Sequence, residues 1–236
     1  MLSESFAEYS SLMVMKQGSK PLEMKKFIKY DMNEYLMGRR DGQEKEQPLR
    51  TVDNQSHIHY GKGSVVLYAL QDYVGEENVN AALNKFLEAY KYQEPPYPNS
   101  NDFLSMLEEE VPDSLSYLIT DWIYEITFYD LRVESATSVK LDNGQYKIDL
   151  EVIAKKIKID EDGNPNDVTI NDWIDIGFSM GEEDEDLLFR ERKFFDSEET
   201  TISLVLDKLP TYAHVDPMRL LIDRVGKDNR IKIAVK

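Results

Sequence analysis

The chain of 236 residues contains no cysteine, so disulfides and cysteine-held zinc are both excluded. That absence says nothing about compartment. Histidine is scarce, with only His57, His59 and His214. Positive charge is in deficit: 28 Lys and Arg stand against 45 Asp and Glu, for a formal net charge of −17 and a pI near 4.6. A surface of that sign repels phosphates, which argues against a nucleic-acid partner and against an anionic membrane surface. It suits simple solubility and basic partners equally well. Runs of about 18 apolar residues are missing, so no segment reads as a membrane-spanning helix. Residues 1–16 are amphipathic and lack a basic leader, unlike a signal peptide.

What is present suffices for a folded core. Hydrophobic residues make up 41% and aromatic residues 11%, which argues against disorder. The length admits two domains or one large one. Residues 1–127 carry helical periodicity. Phe6, Tyr9, Leu12, Met13 and Met15 form a first amphipathic stripe. Gly18-Ser19-Lys20-Pro21 breaks it, with Pro21 suited to a first helical turn. Met24, Phe27, Ile28, Met32, Tyr35 and Leu36 mark a second helix that Gly38 is expected to end. Residues 39–52 read as a polar connector. A third helix opens near Tyr60 and runs to about Val74. Val79, Ala82, Leu83, Phe86 and Leu87 mark a fourth. Asn99 or Ser100 caps a short fifth, and Asp113 or Ser114 caps a last one bearing Leu118, Trp122, Ile123 and Ile126.

At about Phe128 the apolar period changes from three-and-four to two. Leu131 and Val133 alternate, and Asp142-Asn143-Gly144 is a hairpin signal. Tyr146, Ile148, Leu150 and Val152 share one face. Further short strands follow through Ile174, Ile176 and Phe178, Leu187 and Phe189, Ile202 to Leu206, and Ile231 to Val235. Such spacing predicts an antiparallel sandwich over residues 128–236. The expected class is therefore α+β in two parts, 1–127 helical and 128–236 a β-sandwich.

Two short motifs carry the chemistry. Glu4, Phe6, Ala7 and Tyr9 form a Glu-x-Phe-Ala-x-Tyr helix start, and Tyr60, Lys62 and Gly63 form Tyr-x-Lys-Gly before an apolar helix. Together they resemble the aminopeptidase-N-type zinc metallopeptidases, the gluzincins. The resemblance covers most of the chain. It implies that Glu4 is the third zinc ligand and that Tyr60 steadies the oxyanion formed as water attacks a peptide. It also implies the second half of a thermolysin-like catalytic domain, then a small sandwich. The bland alternatives are a carboxylate suiting the helix dipole at Glu4 and, at the second motif, a helix-start aromatic at Tyr60 with a turn at Lys62-Gly63.

One departure shapes the functional expectation. There is no H-E-x-x-H, and no pair of histidines has the spacing that zinc and a general base need. The family's Gly-Ala-Met-Glu-Asn-like segment for the substrate amino group is missing as well. The chain thus resembles the C-terminal piece of a zinc aminopeptidase-like peptidase. Zinc and peptide substrate belong to the intact parent, and this chain alone is expected to be inactive. Some bacterial members resemble fusions behind a membrane permease, and the long acidic C-terminal half is similar to those. The rival reading is a non-catalytic interaction module of a larger, membrane-anchored protein. Asp160–Asp167 is an acidic turn that reads as solvated, with calcium as a lesser alternative because the EF-hand spacing is absent. Glu182 to Asp186 reads as an exposed acidic loop, and Asp216-Pro217 and Asp223 to Asn229 as turns between edge strands.

Overall fold

The computed structural model describes residues 1–42, 44–181 and 187–236, so the acidic run from Glu182 to Asp186 lies outside the described residues. Two compact units are distinguished. One comprises Met1–Thr127 with Ile159–Asn164, the other Phe128–Lys158 with Pro165–Lys236. The class is α+β, helices first and strands after.

In the first unit, helices α1 (Glu4–Gly18) and α2 (Pro21–Asp41) precede a π-helical turn, His57–Lys62, which runs directly into α3 (Gly63–Val74). Helices α4 (Glu76–Tyr90) and α5 (Ser100–Glu110) follow. Among its residues only Asp72 keeps α3 from being wholly buried. A helix apolar all round belongs at the centre of a core, and α1 packs on it. Phe6 of α1 meets Phe103 of α5 edge-to-face at 4.7 Å. The α1 stripe is narrower than its periodicity predicts: Tyr9 and Leu12 are buried, Met13 and Met15 only partly.

Two sequence-based boundaries need correction. Gly38 does not end α2, which continues to Asp41. It lies inside the helix because a side chain there would strike the His57 ring, with a Cβ placed 2.3 Å from that of His57. The expected last helix is instead a chain of short pieces: a 3₁₀ turn at Asp113–Leu115, a single α-turn α6 (Tyr117–Ile119) and a π-helical turn at Thr120–Tyr124. Ile126, expected on that helix, already begins the first strand.

The second unit holds two sheets rich in antiparallel pairs. Strands β1 (Ile126–Lys140), β2 (Tyr146–Ile159), β3 (Pro165–Val168) and β6 (Glu199–Leu206) join one sheet in the order β3-β2-β1, with β6 also on β2. In the other, β4 (Asp172–Ser179) lies between β5 (Leu187–Phe195) and β7 (Tyr212–Val215), and β8 (Arg230–Lys232) is beyond β7. Ile148, Leu150, Val152 and Ala154 of β2 and Ile174, Ile176 and Phe178 of β4 are buried. Leu141 and Gly144 close the β1–β2 hairpin, the amide of Gly144 donating to the Leu141 carbonyl at 2.9 Å.

The last strand was read as one and is two. After β8 the chain changes sheets at Ile233, and β9 (Ala234–Val235) pairs parallel to β1 in the first sheet. Asp216 also departs from its expected place. It follows β7, an interior strand, and its buried carboxylate accepts from the amides of Leu220 and Leu221, both at 3.0 Å. The Asp160 carboxylate serves its own turn, accepting from the amides of Asp162 (2.9 Å) and Asn164 (2.8 Å).

Candidate active site

Ser5, in the first turn of α1, is fully buried, and its hydroxyl donates to the His59 carbonyl at 2.8 Å. The contact is possible because residue 63 is glycine: a Cβ there would sit 2.1 Å from the Ser5 Oγ. The start of α1 is thereby seated on the π-helical turn. Glu4 precedes Ser5 and Tyr60 follows His59, so these two residues, far apart in the chain, come near each other. The Tyr60 phenol lies near the Glu4 carboxylate, and that acceptor, with slight burial and the charges of Glu4 and Glu8, raises the phenol above its ordinary pKa. The hydroxyl therefore stays protonated, and able to donate, well beyond neutral pH. Tyr60 is 44% exposed and Glu4 is half-buried, so both can be reached from solvent.

Lys62-Gly63 is not a turn. Both residues are helical, and the Gly63 amide donates to the Ile58 carbonyl five residues back. Lys62 is completely buried, with Nζ 3.1 Å from the Glu46 carboxylate and 5.5 Å from the centre of the Tyr35 ring. Glu46 also accepts from the Tyr35 hydroxyl at 2.6 Å and from Arg39 at 2.5 Å. Burial opposes both charges. On Glu46 it is outweighed by Lys62, Tyr35 and Arg39, so the carboxyl titrates below its usual range. Lys62 has one carboxylate against complete burial, and burial pulls it below an ordinary lysine.

The segment read as a solvated connector is accordingly anchored. Glu46 and Leu49 are buried, and the Gln55 side chain, also buried, donates to the Lys45 carbonyl and accepts from the Gln47 amide. Sequence reasoning missed Glu46 because it sits in a run of charges without periodicity. One signal was present: Lys62 leads directly into an apolar helix, and a charge on a core face demands a partner.

Beside Tyr60 opens a cleft of ≈ 440 Å³ walled by α1, α2 and the π-helical turn. Among the described residues, its lining includes the carboxylates of Glu8, Asp31, Glu34 and Asp41 and no Lys or Arg. Asp31 titrates above its usual range, chiefly through burial, although it accepts a hydrogen bond from Ser64 at 2.8 Å.

The histidines do not assemble with Glu4 into a ligand set. His57 stacks on Tyr35, with ring centres 6.2 Å apart, and His59 Nδ1 faces the Met1 amino group at 3.3 Å. Burial lowers the pKa of both rings. His214 lies in the sheet unit, where its Nε2 is 2.9 Å from the Ser179 hydroxyl. Among the described residues, no three His, Asp or Glu side chains are grouped to hold a metal. An accessible carboxylate beside a phenol fits one corner of a zinc site, and among the described residues the donor set does not extend to the three protein ligands of a catalytic one.

Comparison with known proteins agrees with the two motifs. Tricorn protease-interacting factor F2 of Thermoplasma volcanium is 26% identical, over 67% of this chain and 22% of that protein. Leucyl aminopeptidase of Saccharolobus solfataricus is 27% identical, over 48% of this chain and 14% of that protein. The chain thus spans about a fifth or less of the length of these relatives. Legionella pneumophila aminopeptidase A, solved with aspartic acid, superposes with a TM-score of 0.44 at 15% identity, over 92% of this chain and 23% of that one. The model of the Peptidase family M1 domain matches residues 1–122, more than half of the sequence, and the chain belongs to that family.

Proposed function

We propose that this chain is the C-terminal part of a zinc-dependent aminopeptidase-like peptidase, to which it contributes Glu4 as a zinc ligand and Tyr60 as an oxyanion donor. The observation that carries this reading is the seating of Ser5 on the His59 carbonyl and against Gly63, which sets Glu4 near Tyr60. Zinc, when bound, polarises the scissile carbonyl and activates water. The part of this chain is narrower. Glu4 supplies an anionic oxygen donor on a rigid helix. The Tyr60 hydroxyl, held protonated, donates to the charge that develops on the carbonyl oxygen, which is where a preformed donor lowers a barrier most. Peptides are the substrates, and the segment that binds their amino group lies outside these residues. The β-rich unit, read as a sandwich, is assigned no chemistry in this scheme. Taken alone, the chain holds zinc weakly and cleaves no peptide.

The test uses the full-length protein. Tyr60→Phe should lower kcat by about 10²–10³ with KM nearly unchanged, since the hydroxyl acts only as charge forms. Glu4→Gln should reduce retained zinc, read by metal analysis after dialysis, because a neutral amide replaces an anionic donor. An unchanged kcat in Tyr60→Phe would remove the phenol from the site and the proposal with it.

A further inference from the structure

Tyr60 is largely solvent-facing, so its aim depends on the backbone beneath it. That backbone is a π-helical turn, a conformation uncommon in proteins that persists where its surroundings hold it. The surroundings are visible at both ends of the turn. At its start, the His57 ring stacks on Tyr35 with an interplanar angle of 15°. At its end, the Lys62 ammonium lies over the same Tyr35 ring and pairs with Glu46. Glu46 in turn accepts from Tyr35 and Arg39 of α2. A buried ion pair is poor value as a stability device, because an apolar pair of similar volume often does as well. Its directionality is what an apolar pair lacks.

We infer that Lys62 and Glu46 are positioning residues for Tyr60: their buried ion pair holds the π-helical turn in the one geometry that aims the phenol toward the Glu4 side of the cleft. Neither side chain touches substrate. Lys62 acts through the backbone two residues from Tyr60, and Glu46 acts by holding Lys62. The inference rests on the catalytic reading of Tyr60 given above, and it adds to that site two residues that the motif chemistry leaves unused.

A double-mutant cycle in the full-length protein tests it. Lys62→Met, close to lysine in length and without its charge, should lower kcat by about 10- to 100-fold, the scale of a misplacement of about an ångström. KM should stay within about twofold. In a Tyr60→Phe background the same substitution should lower kcat by less than about twofold, because no hydroxyl is left to misplace. Tyr35→Phe keeps the ion pair and removes one donor to Glu46. It should repeat the pattern with a smaller loss, and it serves as the probe if Lys62→Met fails to fold. Equal losses in both backgrounds, or no loss in either, would overturn the positioning role while leaving Tyr60 in the site. An unchanged kcat in Tyr60→Phe alone would instead overturn the reading on which the inference rests.

Discussion

Two buried carboxylates, one in each unit, have opposite electrostatic fates. Glu46 in the helical unit is 9% exposed and Asp216 in the sheet unit 2%. Glu46 faces Lys62, Arg39 and the Tyr35 hydroxyl, and its pKa falls. Asp216 is held by two backbone amides, with Arg219 exerting a weaker pull, and burial pushes its pKa up to about 6. Similar burial therefore gives shifts of opposite sign, decided by whether full charges or peptide dipoles face the group. The first arrangement ties distant segments together around a site. The second caps a local turn.

The largest effect should come from breaking the first. Glu46→Gln leaves a fully buried ammonium without its carboxylate, at a cost of about 3–5 kcal/mol of stability. Lys62→Met should cost less, because Arg39 and Tyr35 remain on Glu46. Urea denaturation of the 236-residue chain gives both values. Equal costs would mean that Lys62 already finds another partner.

The next effect sharpens the comparison through pH. A carboxyl raised from 3.8 to about 6 binds its proton more tightly folded than unfolded. Its contribution to stability thus falls as pH rises through roughly 4 to 6 and is flat above, by about 3 kcal/mol at most. Glu46, whose pKa is depressed, behaves in reverse: its contribution is present above the ordinary 4.5 and is lost as pH falls below it. Comparing wild type with Asp216→Asn between pH 4 and 7 isolates the first effect. The wild type should gain stability relative to the variant as pH drops toward 4, and a constant difference would show that Asp216 ionises normally.

The smallest effect belongs to Tyr60. With 44% of its surface exposed, Tyr60→Phe should leave the melting temperature nearly unchanged. A large drop in melting temperature would make the residue a packing element and blur the line between site and scaffold.

How far these features were legible in the sequence depends on the distance over which each is specified. Helices α3 and α4 and the hairpin at Asp142-Asn143-Gly144 follow from local periodicity and turn chemistry. Glu4 and Tyr60 stood out through short motifs, and the chain folds so that they lie near each other, although neither motif states a distance. Glu46 was invisible because its partners lie 7 to 16 residues away in segments with no common period. Gly38 looked like a helix end because glycine usually is one. Its reason is a tertiary neighbour, His57, that no window of sequence contains. Ile231 to Val235 alternates cleanly, and alternation cannot say that a strand changes sheets at Ile233.

The π-helical turn before α3 has a further consequence, for chain length. Each of its hydrogen-bonded rings spans one residue more than in an α-helix, so residues on either side are out of phase with a regular helix by about 100°, the rotation of a single residue. Helix α3 is buried around almost its whole circumference and cannot rotate to absorb an error. Deleting one residue between His57 and Lys62 would let a regular helix form and swing the phenol to another side. A one-residue deletion there should therefore do more harm than most substitutions within it, so the count of residues in this stretch is as much a part of the site as their identity.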